Sequence, residues 1–214
     1  MKISNLNVER ESFCLSIDSL TFNSNDKIAI IGKSGSGKTT LLNSIGNIID
    51  YNGVIENKQP VVYATQFGDL INEFSVNTNV VMGEFANNNV FKNIYLTLTS
   101  NPIEVLSKLK IDKLQKKKVK TLSGGEAQRV LIARSLNTKG DIFLFDEPTS
   151  SLDIKNSEIC VQTILENLSD KIIICTIHNL NLLKFFERVI IMENGKIISD
   201  TPYKSDLKYG DYFE

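Results

Sequence analysis

A glycine-rich loop near the start of this sequence has the residue types and spacing needed to bind a polyphosphate. It reads Gly32-Lys33-Ser34-Gly35-Ser36-Gly37-Lys38-Thr39 and follows an apolar run at residues 27–31. Glycines let the backbone turn its N–H groups around phosphate oxygens, because a Cβ would block the close approach. Lys38 offers a point charge to the β- and γ-phosphates, and the Thr39 hydroxyl is placed to bind Mg²⁺. A glycine-rich surface turn is the alternative, but the order of strand, loop and helix favours a phosphate site.

Two acidic residues supply the other half of such a site. Asp146 and Glu147 directly follow an apolar run at residues 142–145, and open α/β sheets bind ligands at the carboxyl ends of their strands. Asp146 is expected to bind Mg²⁺ through water, because this ion loses its hydration shell reluctantly. Glu147 can face the γ-phosphate and polarise the attacking water. The alternative is that these acids only cap the next turn, which is a poor explanation beside a phosphate loop.

Two further polar residues end apolar runs. His178 is the single histidine of the chain and follows residues 172–177, which places it at the carboxyl end of a strand, beside the expected carboxylates. A lone histidine is more often an ordinary side chain than a catalytic one, but this position favours a role in the site. Gln66 follows the shorter run at residues 61–64 and carries little weight by itself.

A second anion site is indicated by the sequence Ser123-Gly124-Gly125-Glu126. Serine at a helix N-cap with glutamate three residues later is a capping box, and the helix start would carry a free hydroxyl beside two glycines. The alternative is a well-capped helix that binds no ligand. The chain has no second phosphate loop, so this cap has no phosphate left to bind in its own subunit. The combination predicts an ATPase that works as a pair.

The elements that must position these residues define an α/β fold. The apolar runs predict buried parallel strands, and residues 39–45 predict a helix after the phosphate loop. Apolar and polar residues alternate up to about residue 22 and again over residues 51–56. This pattern predicts a small antiparallel layer of strands. Residues 67–137 are predicted to form a helical subdomain, with one helix opened by Asn101-Pro102. Asn194-Gly195 predicts a hairpin between two further strands.

Length and composition agree with a single domain spanning residues 1–214. The formal net charge of −1 argues against a nucleic-acid-binding protein. The basic cluster at residues 116–120 is best interpreted as a solvated loop, with a membrane-surface contact as the weaker alternative. Three dispersed cysteines suit a reducing cytoplasm, and no apolar stretch reaches membrane-spanning length. Any membrane association is therefore expected to depend on a partner.

The motifs, in this order, resemble those of the nucleotide-binding subunits of ATP-binding cassette (ABC) transporters. Residues 32–39 match the Walker A motif, or P-loop, and residues 142–147 match Walker B. Gln66 stands at the Q-loop position, residues 122–126 at the signature, residues 151–153 at the D-loop, and His178 at the switch histidine. The resemblance covers nearly the whole chain. It implies a P-loop NTPase core with a mostly parallel sheet, a small antiparallel β layer and a helical subdomain.

The resemblance also implies a set of site residues for ATP and Mg²⁺. The catalytic residues would be Glu147, His178 and Lys38. The metal ligands would be Thr39, Gln66 and Asp146. In the family two cassettes stack head to tail, so that the signature of one faces the γ-phosphate bound by the other. Asp153 would signal across this dimer. The residues expected to contact ATP are Gly32, Lys33, Ser34, Gly35, Ser36, Gly37, Lys38, Thr39, Thr40, Gln66, Ser123 and Gly125.

Three positions depart from the family pattern. The family places an aromatic residue that stacks on adenine roughly thirty residues before the P-loop lysine. That stretch reads Val8-Glu9-Arg10 here, with only Phe13 nearby, so the stacking residue is left open. Asn179 follows the histidine where aspartate is usual, and Glu126 replaces the usual glutamine of the signature.

The resemblance implies an ATPase that powers a membrane transporter, with a second copy of the cassette and a membrane permease as partners. It places the protein in the cytoplasm, peripheral on the inner face of the cell membrane. A soluble ABC ATPase without transport, such as an iron–sulfur assembly factor, is the alternative. Residues 70–76 are similar to the same stretch of phosphonate-importer ATPases, which favours import over export. The apolar loop at residues 68–74 is expected to contact the permease, unless it packs under the helical layer.

Overall fold

The computed structural model describes residues 1–10, 13–57, 59–65, 70–85 and 90–212. Gln66 and the start of the predicted contact loop lie outside the described residues. The chain divides into two compact units. The first comprises Met1–Tyr63, Asp141–Glu147 and Asp170–Glu214, and the second comprises Ala64–Gly140 and Pro148–Ser169. Each unit is described by itself below.

The larger sheet is built from strands β3 (Lys27–Ile31), β5 (Val61–Ala64), β6 (Ile142–Phe145), β7 (Ile172–Thr176), β8 (Arg188–Glu193) and β9 (Lys196–Pro202). Their order in the sheet is β5-β6-β7-β3-β8-β9. Strands β3, β6, β7 and β8 are parallel, and β9 runs antiparallel to β8. Every residue of β3, β6 and β7 is buried, as expected for parallel strands covered on both faces. The mostly parallel sheet predicted from the apolar runs is therefore confirmed.

The small antiparallel layer is also confirmed. It consists of β1 (Lys2–Arg10), β2 (Phe13–Thr21) and β4 (Asn52–Glu56), in the order β2-β1-β4. The helix predicted after the phosphate loop is present as α1 (Lys38–Ile45), which begins within the P-loop, one residue before the predicted start. Apolar side chains of β1, β2 and α1 pack with those of β3, β6 and β7 into the core of the first unit.

The hairpin between β8 and β9 turns at Asn194 and Gly195, whose φ angles are 46° and 75°. Positive φ at both central residues is the type I′ geometry that the Asn-Gly signal predicts. The Gly195 N–H donates to the Ser36 carbonyl at 3.0 Å, and the Gly195 carbonyl accepts from the Ser16 N–H at 2.8 Å. The predicted hairpin is thus present, and its turn supports the backbone of the P-loop.

The second unit is helical. Its helices are α2 (Val76–Val81), α3 (Val90–Thr99), α4 (Ile103–Lys108), α5 (Gly124–Leu136) and α6 (Ile154–Asn167). Pro102 is the N-cap of α4, one residue earlier than the first helical position at which proline is favoured. Within the part of the chain that the structure describes, no helix combines the length and apolar character needed to cross a membrane.

Candidate nucleotide site

The P-loop holds the ammonium group of Lys38 against its own backbone. Lys38 Nζ donates to the Gly32 carbonyl at 2.7 Å and to the Lys33 carbonyl at 3.0 Å, and the residue is only 6% exposed. Burial lowers the pKa of Lys38, and the negative charges of Glu147 and Asp146 oppose that shift. The ammonium group therefore bonds to two neutral carbonyls of its own loop. A phosphate oxygen would be a stronger, charge-assisted acceptor for it.

Two glycines of the loop are required by their surroundings. Gly37 has a φ of 105°, and a Cβ there would lie 2.8 Å from the Phe13 ring. Gly32 has a φ of 148°, and a Cβ there would lie 2.1 Å from the Met192 carbonyl oxygen. A side chain at either position would combine an unfavourable backbone conformation with a steric clash. The loop therefore passes between β2 and β8 only because these positions are glycine.

An unsatisfied hydroxyl indicates that the loop fits a phosphate. The Ser36 Oγ is buried and has no hydrogen-bond partner among the described residues. A buried hydroxyl without a partner is unfavourable, so such groups usually mark a place that a ligand or water fills. A phosphate oxygen would accept from both this hydroxyl and Lys38. The residues present therefore suit the polyphosphate of a nucleotide.

A threonine at the end of β7 hydrogen-bonds to the carboxylate of Asp146 and to the backbone of Glu147. Thr176 Oγ1 donates to Asp146 Oδ1 at 2.7 Å and accepts from the Glu147 N–H at 2.7 Å. Thr176 is fully buried and Asp146 is 3% exposed. The Tyr63 hydroxyl is also buried near this carboxylate. Burial, together with the charge of Asp146, raises the pKa of Tyr63. Asp146, at the carboxyl end of β6, thus lies close to the hydroxyl groups of Thr176 and Tyr63.

Glu147 and His178 are in direct contact. His178 Nε2 lies 2.6 Å from Glu147 Oε1, and the two side chains are 41% and 20% exposed. The contact agrees with the expected position of the histidine beside the carboxylates. Glu147 also has a φ of 51°. This left-handed conformation is strained for a residue with a side chain and is concentrated at functional sites.

The donors at this edge suit Mg²⁺. Asp146 provides a carboxylate, and the exposed Thr39 at the start of α1 provides a hydroxyl. Oxygen ligands of this kind, completed by water and substrate phosphates, are what Mg²⁺ prefers. The third predicted ligand, Gln66, lies outside the described residues.

The signature belongs to the second unit, where the predicted capping box is confirmed. The Ser123 hydroxyl accepts from the Glu126 N–H at 3.3 Å, and Glu126 Oε2 accepts from the Ser123 N–H at 2.8 Å. The same carboxylate accepts from the Ser123 hydroxyl at 3.0 Å. The prediction that this hydroxyl is free is therefore wrong. The carboxylate of Glu126, which completes the capping box, also accepts the hydrogen bond that the Ser123 hydroxyl can donate.

The signature and the D-loop pack together in the second unit. A Cβ on Gly125 would lie 2.9 Å from the Ser151 carbonyl oxygen, so this glycine allows the two backbones to approach closely. The side chain of Gln128 accepts from the Ser151 N–H at 2.9 Å. Asp153 is the N-cap of α6, where it accepts from the Asn156 N–H at 2.9 Å. Gly125 thus has a packing reason of its own, besides its expected contact with ATP.

Three residues near the phosphate loop were not predicted to belong to the site. Thr176 and Tyr63 contact or lie near Asp146, and the Phe13 ring lies against the backbone of Gly37. A buried polar residue at the carboxyl end of an apolar strand was the available signal for Thr176. In the sequence Phe13 is only the nearest aromatic, because its distance to the P-loop depends on how β2 packs.

A parallel sheet that carries a P-loop, with two carboxylates and a histidine at the same edge, defines a nucleotide-hydrolysing P-loop protein. Comparison with known proteins specifies the family, because the ABC transporter family model matches residues 15–150. The chain therefore belongs to the ABC transporter family and is an ABC-type ATPase.

Three similar proteins illustrate this membership. The phosphonates import ATP-binding protein PhnC of Fusobacterium nucleatum is 33% identical over 203 residues, which cover 84% of this chain and 82% of that protein. The lacticin-481/lactococcin-DR transport/processing ATP-binding protein of Lactococcus lactis is 34% identical over 190 residues, covering 82% of this chain but 27% of that protein. A solved dimeric bacterial ABC transporter cassette superposes with a TM-score of 0.80 at 25% identity, covering 95% of this chain and 99% of its own.

Proposed function

We propose that this chain is the ATP-hydrolysing subunit of a membrane transporter. The observation that carries the proposal is the contact of Glu147 with His178 beside the buried Asp146 and Lys38. This arrangement provides a phosphate-binding cation, a metal-binding carboxylate and a base for water at one edge of the sheet. Release of phosphate from ATP by the purified chain, dependent on Mg²⁺, is the direct test. A chain that binds ATP without any turnover would contradict the proposal.

Each residue of this site has a distinct proposed task. Lys38 and the P-loop backbone, with Gly32 to Thr40, hold the phosphates, and Thr39 with Asp146 holds Mg²⁺. The ion, when bound, neutralises negative charge on the phosphates. Glu147 accepts a proton from the attacking water. His178 orients Glu147 through the contact that the structure shows.

The signature is proposed to act on a second subunit. Ser123 and Gly125 lie at the N-terminus of α5, where N–H groups and the helix dipole favour an anion. In the proposed dimer this end of α5 faces the γ-phosphate bound by the partner. Since the Ser123 hydroxyl is engaged by Glu126, it would have to turn from the carboxylate to the phosphate when ATP binds. A homodimer suffices for this, because the chain carries both halves.

Phe13 is proposed to supply the contact with adenine. Its ring lies against Gly37 of the P-loop, although it comes later in the sequence than the family's aromatic. Stacking between a base and an aromatic ring is worth about 1–3 kcal/mol, so Phe13→Ala is expected to raise the KM for ATP about tenfold. Phe13→Tyr keeps the ring and is expected to bind normally. Steady-state ATPase assays on both variants would measure this, and equal KM values for Phe13→Ala and wild type would contradict it.

A permease is the proposed membrane partner, which places the chain at the cytoplasmic face of the membrane. The Fusobacterium relative, of which the match covers 82%, is named an import protein, which supports the phosphonate-type importer suggested by the sequence. The chain spans less than a third of the lacticin relative, so that protein supports the ATPase part alone. A permease that co-purifies with the chain would support transport, whereas association with assembly factors would favour the soluble alternative.

The described part of the predicted contact loop presents apolar side chains on a rigid backbone. Ile71 and Phe74 are 37% and 44% exposed. The buried Asn79 side chain accepts from the Ile71 N–H at 2.8 Å and donates to the Ile71 carbonyl at 3.1 Å. The Phe74 carbonyl accepts from the Val119 N–H at 3.0 Å. The exposed side chains are therefore held outward, which supports a contact with the permease over packing inside the helical unit.

Replacing Leu70 and Phe74 by serine together is expected to abolish co-purification with the permease. The apolar contact area would be lost, while the backbone bonds that hold the loop would remain. Melting temperature and basal ATPase activity are expected to stay near wild type. The matched control is Val54→Ser with Ile198→Ser, two exposed apolar residues of the first unit, which should leave co-purification intact. Unfolding of the Leu70/Phe74 variant, or its full co-purification, would exclude this loop as the docking surface.

A further inference from the structure

Thr176 hydrogen-bonds to both residues of the acidic pair in the first unit. Its hydroxyl donates to Asp146 Oδ1 and accepts from the Glu147 N–H, each at 2.7 Å. A threonine hydroxyl has a single proton, so these two bonds fix its orientation. The hydroxyl therefore links the metal-binding carboxylate to the backbone of the proposed base.

Nothing in the strand itself calls for this hydroxyl. Thr176 ends β7, whose other residues are isoleucines and a cysteine, and it is fully buried. Valine has the same shape and an equal preference for strands, and it would avoid burying a polar group. The residue is therefore better explained by what its hydroxyl binds than by packing.

The conformation of Glu147 supplies a reason for the second bond. Its φ of 51° lies in the left-handed region, and the next residue is Pro148, which further restricts the backbone. Strained residues of this kind persist only where their surroundings over-determine them. Here the backbone N–H is held by Thr176 and the side chain by His178.

We propose that Thr176 is a positioning residue for ATP hydrolysis, whose hydroxyl sets the orientation of Asp146 toward Mg²⁺ and holds Glu147 in its strained conformation. The proposal rests on the proposed ATPase function of the chain. It predicts that loss of the hydroxyl affects turnover and the metal-dependent part of ATP binding, while metal-free nucleotide binding by the P-loop is preserved.

The test compares Thr176→Val, Thr176→Ala and Thr176→Ser with wild type. The first two variants are expected to lose about 10- to 100-fold in kcat, the range found for residues that support metal ligands. Calorimetry with ATP alone should give wild-type affinity, and the gain in affinity on adding Mg²⁺ should shrink. Thr176→Ser keeps the hydroxyl and should retain kcat within about threefold.

A matched control is Thr163→Val on α6. Thr163 is a buried threonine whose hydroxyl donates to the Ile159 carbonyl at 2.7 Å, within the second unit. This variant should keep the wild-type kcat and the wild-type increase in ATP affinity on adding Mg²⁺. The comparison shows whether the effect of Thr176→Val is specific to the Thr176 hydroxyl or follows from removing any buried hydroxyl.

Three results would overturn the proposal. The first is a Thr176→Val enzyme with wild-type turnover and a wild-type increase in ATP affinity on adding Mg²⁺. The second is a Thr176→Ser enzyme as impaired as Thr176→Val. The third is unfolding of both the valine and alanine variants while the serine variant folds, because this would assign the hydroxyl to stability. Absence of ATP hydrolysis by the wild type would instead refute the proposed function.

Discussion

Replacing Glu147 by glutamine is expected to reduce ATP turnover about a hundredfold or more while ATP binding is retained. Asp146 is bonded to Thr176 and is nearly inaccessible, whereas Glu147 is partly exposed and next to His178. Glu147 is therefore the carboxylate placed to accept a proton from water. Glutamine has the same shape but cannot act as a base. Steady-state phosphate release gives kcat, and titration with ATP in the absence of turnover gives affinity.

The control for this variant is Glu166→Gln, which makes the same chemical change at an exposed position of α6. It is expected to hydrolyse ATP at the wild-type rate. Hydrolysis by Glu147→Gln within a few-fold of wild type would refute its assignment as the base. Loss of ATP binding together with turnover would instead indicate that Glu147 supports the phosphate loop.

Mixing two inactive variants is expected to restore activity if the site is shared between subunits. A Ser123→Arg subunit keeps its P-loop, and a Lys38→Ala subunit keeps its signature. One of the two sites in a mixed dimer then has both halves intact. With random pairing at equal amounts, half of the dimers are mixed and half of their sites are intact, so about a quarter of the wild-type rate is expected.

Each variant must be folded and able to pair for this result to be informative. Ser123 caps α5, and loss of an N-cap costs about 1 kcal/mol, so melting temperatures should be compared first. Different affinity tags on the two subunits would verify that mixed dimers form. No recovery at any mixing ratio, with mixed dimers present, would contradict a shared site.

Several elements of both units were predictable because their signals are local. Apolar runs gave the buried strands, Asn194-Gly195 gave the hairpin, and the spacing from Ser123 to Glu126 gave the capping box. The contact of His178 with Glu147 followed from one rule, that side chains after neighbouring parallel strands meet at the same edge. These inferences needed no knowledge of how distant elements pack.

The parts that could not be predicted depend on tertiary contacts. The occupied Ser123 hydroxyl results from the orientation of the Glu126 carboxylate, which a capping pattern does not specify. The link from Thr176 to the acidic pair requires the register of β7 against β6. The position of Phe13 against Gly37 depends on how β2 of the small sheet packs on the P-loop.

ATP is expected to join two copies of this chain through Ser123, and the molecular mass of Glu147→Gln in solution measures whether it does. Sedimentation should show a single chain of 24.0 kDa without nucleotide and a mass twice as large with ATP and Mg²⁺, since the variant does not consume the ATP that joins the subunits. Adding Ser123→Arg to the same chain should return the mass to that of one chain. A mass that does not respond to ATP, or a dimer that forms equally well with Ser123→Arg, would rule out a dimer that ATP joins through Ser123.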